Sequence, residues 1–134
     1  MNQSSAELAK GWIEAWRRFD MAWLREHLAE DFVHVSPFGR FDDRETYLAA
    51  VEPLARKSVT ELVIRDVVAE GDRAVIRFEN RTREGAVESC DWVRVENGTI
   101  REIRSFYDTA RVRRVLSESE QESLDEAHHS HTEP

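Results

Sequence analysis

Apolar residues follow a helical period in the first part of the chain and an alternating period from position 59 onward. Leu8, Trp12, Ala15, Trp16 and Phe19 fall on one face of a 3.6-residue helix. Ser4-Ser5-Ala6-Glu7 precedes them with capping-box spacing, in which a serine oxygen accepts from the Glu7 amide while the Glu7 carboxylate reaches back. Asp20 is placed to cap a second, shorter helix carrying Trp23, Leu24 and Leu28. Phe32-Val33-His34-Val35-Ser36 has the character of a short strand. Pro37-Phe38-Gly39 ends it, because proline removes a ladder donor and glycine permits a turn. Asp42-Asp43-Arg44-Glu45 opens a third helix with Tyr47, Leu48, Val51 and Leu54 on one face, and Pro53 predicts a kink or an early end there.

Four extended segments follow, at 61–69, 73–83, 87–96 and 99–107. The breaks between them are Glu70-Gly71-Asp72, Glu84-Gly85-Ala86 and Glu96-Asn97-Gly98. Asn-Gly between two alternating runs is a strong hairpin signal, since both residues tolerate positive φ. Such tight breaks make consecutive strands antiparallel neighbours. Helices gathered ahead of a run of strands predict an α+β fold, with three helices packed on one face of a curved antiparallel sheet.

At 134 residues there is room for one core. The chain is 40% hydrophobic and 34% charged, the balance of a compact protein rather than a disordered one. No apolar run approaches the roughly 20 residues of a membrane helix, and MNQSSAELAK lacks a signal-peptide core, so no membrane partner and a cytoplasmic location are expected. Net charge is −8, of which six negative charges lie from position 117 onward, leaving −2 for the body. Neither part is basic, which argues against a nucleic-acid partner. The expected organisation is one domain over 1–112 and an acidic, solvated tail over 113–134, with His128, His129 and His131 taken as part of that polar terminus rather than as a metal site. Cys90 is the single cysteine, so neither a disulfide nor a cysteine-rich zinc site can form within the chain.

Five motifs carry a family resemblance: Trp12-Ile13-Glu14, Leu28-Ala29-Glu30-Asp31-Phe32, Ser36-Pro37-Phe38-Gly39, Glu70-Gly71-Asp72-Arg73 and the run from Asp91 to Ile100. In this order and spacing they resemble the nuclear-transport-factor-2-like superfamily, which includes ketosteroid isomerases and SnoaL-like polyketide cyclases. The resemblance implies a cone-shaped sheet enclosing a small molecule, and a homodimer paired through the outer sheet face. Trp92 and Phe106 are the candidate anchors there, since their parity opposes Asp91 and Tyr107. Ketosteroid isomerases place an Asp general base just before a Pro-x-Gly turn, and Ser36 stands there in this chain. Their first-helix Tyr corresponds to Trp12, while their protonated Asp on the third meander strand matches Asp91. Two of the three isomerase groups are therefore replaced. The limonene-epoxide-hydrolase pattern is also broken, because its last-strand Asp falls at Ser105.

Alternation puts His34 on the same side as Ser36, Asp91 with Val93, and Ser105 with Tyr107. The resemblance turns these sets into the cavity, with Trp12 as a wall. His34 suits general acid–base work because its ordinary pKa lies near neutrality. Asp91 could act as a neutral acid if buried, or orient His34. Ser36, Val93, Ser105 and Tyr107 are expected to shape or hydrogen-bond the ligand. On the strand from Val75 to Arg83, periodicity buries Ile76, Phe78, Asn80 and Thr82 and turns Arg77, Glu79 and Arg81 outward, whereas an isomerase-like register would do the reverse. No glycine-rich nucleotide loop and no compact metal cluster occurs, so an enzyme acting without cofactor or metal on a small oxygenated, largely apolar molecule is expected. The alternative is a non-catalytic ligand-binding or dimerisation module.

Overall fold

The structure is a computed structural model, and it describes residues 4–59 and 61–115. The histidine-containing part of the tail, with His128, His129 and His131, lies outside the described residues. Four helices and one six-stranded sheet follow in the order α1 (Ser5–Arg18), α2 (Met21–His27), β1 (Leu28–Ser36), β2 (Gly39–Phe41), α3 (Arg44–Ser58), β3 (Glu61–Glu70), β4 (Arg73–Thr82), β5 (Gly85–Glu96), β6 (Thr99–Phe106) and α4 (Thr109–Val115). The sheet order is β2-β1-β6-β5-β4-β3. It is antiparallel except where β1 runs parallel to β6, a pairing reached through the α3 and meander crossover. The sheet is curved and unclosed, with helices against its concave face. This is the α+β cone fold.

Local chemistry sets the helix starts. The Ser4 hydroxyl accepts from the Glu7 amide at 3.1 Å while the Glu7 carboxylate accepts from the Ser4 amide at 3.2 Å, completing the capping box. Asp20 caps α2 by accepting from the Trp23 amide at 3.0 Å, and Asp43 caps α3 by accepting from the Thr46 amide at 2.8 Å. Between β5 and β6, Asn97 and Gly98 both take positive φ, at 53° and 79°, as the hairpin demands. Gly11 is required by packing: a Cβ there would sit 2.2 Å from the Trp23 ring, so its absence lets α2 close on α1.

Three features depart from the sequence expectation. Leu28 begins β1, opposite Ile100, instead of ending α2. Of the kink or early end that Pro53 predicts, the early end does not occur: α3 continues five residues past it to Ser58. Pro53 and Ala49 both lie on the solvent face of α3, so water can take the carbonyl that the proline cannot bond. The short edge strand β2 and the helix α4, from Thr109 to Val115, have no counterpart in the sequence expectation. Among the described residues, no helix is long and apolar enough to cross a membrane.

The core fills the space between α1, α3 and the sheet with Leu8, Trp12, Ile13, Phe32, Tyr47, Ile76 and Ile103, all at most 2% exposed. On β4 the alternation resolves as periodicity predicts. Ile76 and Phe78 are buried and Asn80 and Thr82 line the interior, while Arg77 and Arg81 lie outside in ion pairs.

Candidate functional site

A cavity of about 220 Å³ opens between the helices and the concave sheet face. Trp12, His34, Ser36, Asp91, Ser105 and Tyr107 all line it. Val93 does not. It is fully buried, paired with Ala74 and Ile103, and it packs in the core with Leu8 and Ala9, so the cavity ends before reaching it. Sharing a sheet face with Asp91 is thus insufficient to line the cavity, because helix α1 fills that part of the face.

Asp91 is 3% exposed. Its Oδ2 accepts from the Trp12 indole N–H at 2.8 Å, so Trp12 is a hydrogen-bond donor as well as a wall. Its Oδ1 is buried without a well-formed hydrogen bond among the described residues. Burial pushes the Asp91 carboxyl up to about 6, against the opposing pull of the Trp12 indole and the Ser105 hydroxyl. Ser105 stands directly opposite Asp91 on the neighbouring strand. The same hydroxyl meets Nε2 of His34 at 3.1 Å, so serine stands between the imidazole and the carboxyl. His34 itself is buried, with its ring 4.7 Å from that of Tyr47.

Two phenols complete this end. Burial raises Tyr47 well above its ordinary value, with the charge of Asp91 adding to the effect. Burial likewise pushes Tyr107 up to about 12, although the Ser36 hydroxyl draws it back. Both therefore stay protonated at neutral pH and can donate to an oxygen that gains negative charge. Tyr47 was visible in the sequence only as part of an apolar helix face. Its approach to Asp91 comes from the packing of α3 over β1, with Phe32 and Phe41 rings 5.2 and 5.7 Å away. Ser58, Asn80 and Ser89 also line the cavity and had no motif to mark them. Among the described residues, no group of three or more His, Cys, Asp or Glu side chains is placed to hold a metal ion.

The SnoaL-like domain family matches residues 9–103, a span that includes Trp12, His34 and Asp91. No curated protein sequence matches the chain. Among solved structures, IdmH of Streptomyces antibioticus, a candidate polyketide cyclase, is 22% identical with a TM-score of 0.71, over 90% of this chain and 99% of its own. An NTF2-like protein of Cytophaga hutchinsonii is 16% identical with a TM-score of 0.73, over 84% of this chain and 96% of its own. A candidate ketosteroid isomerase of Kribbella flavida is 17% identical with a TM-score of 0.68, over 78% of this chain and 77% of its own. At these identities the likeness is one of fold. With the cone architecture and a family match across most of its length, the chain belongs to the SnoaL-like domain family of the NTF2-like fold.

Proposed function

We propose that this protein is an acid–base enzyme that moves a proton on a small, largely apolar, oxygenated molecule, in a reaction of isomerase, cyclase, dehydratase or hydrolase type. The observation that carries the reading is Asp91: a buried carboxyl in the cavity wall, raised to about 6, with one oxygen held by Trp12 and the other buried without a well-formed hydrogen bond. A carboxyl tuned to that value changes protonation near neutral pH at little cost in either direction. As carboxylate it accepts a proton from a carbon beside a carbonyl. As acid it returns the proton to carbon or oxygen. Tyr47 and Tyr107 donate to the enolate oxygen formed between these steps, and the Ser105 hydroxyl offers a path for the proton to His34. The reaction needs nothing beyond these side chains.

The test is hydrogen exchange. Tetralone and related aryl ketones in heavy water should take up deuterium beside the carbonyl faster with protein than with buffer. Asp91→Asn should lower that rate by about 10²–10⁴-fold, the usual contribution of a general acid–base group. Ketones that bind without any acceleration would overturn the catalytic reading. They would favour the second one, a ligand-binding or dimerisation module, which draws support from Ser36 standing where isomerases carry their base. On either reading we propose pairing of two copies through the outer sheet face, supported by Phe106 at 58% exposure. A monomer in sedimentation at micromolar concentration would overturn the pairing.

A further inference from the structure

Ser105 and His34 form a contact that the proton-transfer reading uses only as a path. Strands β1 and β6 run side by side with His34 paired to Ile103, and Ser105 lies two residues beyond Ile103 on the same face. Its hydroxyl meets Nε2 of His34 at 3.1 Å, within the range of a nucleophile and its base. Both residues line the cavity. Packing fixes the imidazole, which is buried among the rings of Trp12, Phe32 and Tyr47 at centroid distances of 6.3, 6.3 and 4.7 Å. Asp91 stands opposite Ser105 on β5, so a negative charge lies beside the pair when that carboxyl ionises. Such a charge favours an imidazolium next to it. The rest of the wall is largely apolar, with Val51, Leu54, Leu62, Phe78 and Val87 among its residues.

We propose that Ser105 is a nucleophile activated by His34, and that the cavity cleaves small carboxylic esters or thioesters through an acyl-serine intermediate. This activity does not depend on Asp91 moving a proton on carbon. In the tautomer with its proton on Nδ1, His34 accepts at Nε2. Ser105 Oγ adds to the carbonyl carbon, its proton passes to Nε2, and the π electrons move onto the carbonyl oxygen. The protonated phenols of Tyr47 and Tyr107 are the cavity donors available to that oxygen. When the intermediate collapses, the bond to the alcohol or thiol breaks and the leaving group takes the proton from Nε2. Water then adds to the acyl carbon as one of its protons passes to Nε2. The carbon–Oγ bond breaks, Oγ recovers that proton, and a carboxylic acid is released. Ester and water become acid and alcohol, with no oxidant or reductant. The apolar wall favours a short acyl chain that fits a cavity of about 220 Å³.

The test uses para-nitrophenyl butyrate and an alkyl fluorophosphonate, which bonds to an activated serine as fluoride leaves. The full chain should release nitrophenolate in a burst of about one equivalent before steady turnover. The fluorophosphonate should add once per chain, and fragmentation of the tryptic peptide 105–111 should place it on Ser105. Ser105→Ala should abolish both burst and label. His34→Gln should lower the labelling rate and kcat/KM by about 10²–10⁴-fold. A hydroxyl that only hydrogen-bonds the imidazole would give neither burst nor label. Should Ser105→Ala fail to fold, the position of the label in the wild type decides. Deuterium exchange on tetralone and acyl transfer are read on different compounds, so either can fail alone. No label, a label on Tyr107 or any other side chain, or hydrolysis that survives Ser105→Ala would overturn the proposal.

Discussion

Strands β4 and β5 show two faces with opposite treatments of polar groups. On the outer face, Arg65 and Arg81 pair with Glu79, Arg81 also with Glu61, and Arg77 with both Asp66 and Glu88. The row continues across β5 and β6, where Arg94 meets Glu102. On the inner face, Asp91 and Asn80 each keep a buried oxygen without a well-formed bond. Exposed charges in water gain little from pairing and lose little by it, so the outer row tolerates many. Buried polar groups are costly unless satisfied, so the inner few stand out. The contrast separates scaffold from site: where pairing is easy the polar groups are paired, and the unpaired oxygens belong to residues of the cavity wall.

The largest expected effect on stability lies inside. A carboxyl with a folded-state value raised from 3.8 to about 6 binds its proton more tightly in the folded chain. Its contribution is therefore fully present below about 3.8 and is lost as pH rises through about 6. The difference corresponds to roughly 3 kcal/mol. Asp91→Asn removes this titration, and its amide oxygen can still accept from Trp12. Urea unfolding at several pH values should show the variant gaining on the wild type between pH about 4 and about 6 by that order. A constant gap across this window would show that the carboxyl is not buried as described.

A smaller effect is expected from its donors. Trp12→Phe keeps an aromatic ring in the wall but removes the N–H that favours the carboxylate. The Asp91 midpoint should then rise above its present value, visible as a shift of its carboxyl resonance in an NMR titration. Ser105→Ala should move the midpoint in the same direction by less, since its pull is the weaker of the two. It should also separate His34 from the carboxyl. A midpoint that falls in either variant would contradict the assigned roles.

Much of the scaffold and part of the site were legible in the sequence, for different physical reasons. Helix caps and the Asn97-Gly98 turn are local devices that act within four residues, and they appear where the residue types require. The β4 face follows from alternation, because burying Arg77 and Arg81 would strand charges that water now screens. The strand β2 is three residues long and shows no period to detect. Leu28 is four residues after Leu24 and thus has helical spacing, yet its backbone is extended and it pairs across to Ile100. For the site, parity grouped His34 with Ser36, Asp91 with Val93 and Ser105 with Tyr107, and the family resemblance turned those groups inward. Neither could set depth, so Val93 was included although α1 fills the space in front of it. Tyr47 and Ser58 belong to a helix that packs over β1 and β2, and nothing within a few residues of either signals the cavity, whereas Asn80 lies on the β4 face that alternation turns inward.

The smallest effect belongs to the outer row. Arg77 donates from Nε and Nη2 to Asp66 Oδ2, at 3.2 and 2.8 Å, and from Nη1 to Glu88, tying β3, β4 and β5 across their solvent side. All three side chains are substantially exposed. Water and salt therefore screen the attraction, and holding three long side chains in one arrangement opposes it with entropy. Arg77→Gln should scarcely move Tm at low ionic strength, and at about 1 M salt, where screening reaches within about 3 Å, the difference from the wild type should vanish. Deuterium exchange on tetralone should be unchanged, because the guanidinium lies on the far side of the sheet from Asp91. A loss of several degrees that persists in salt would show that this part of the face is covered rather than solvated, so that the pairing proposed at Phe106 extends across β5 to β4. A change in exchange alone would mean that the charge is felt through the sheet, and the separation between the two faces would fail.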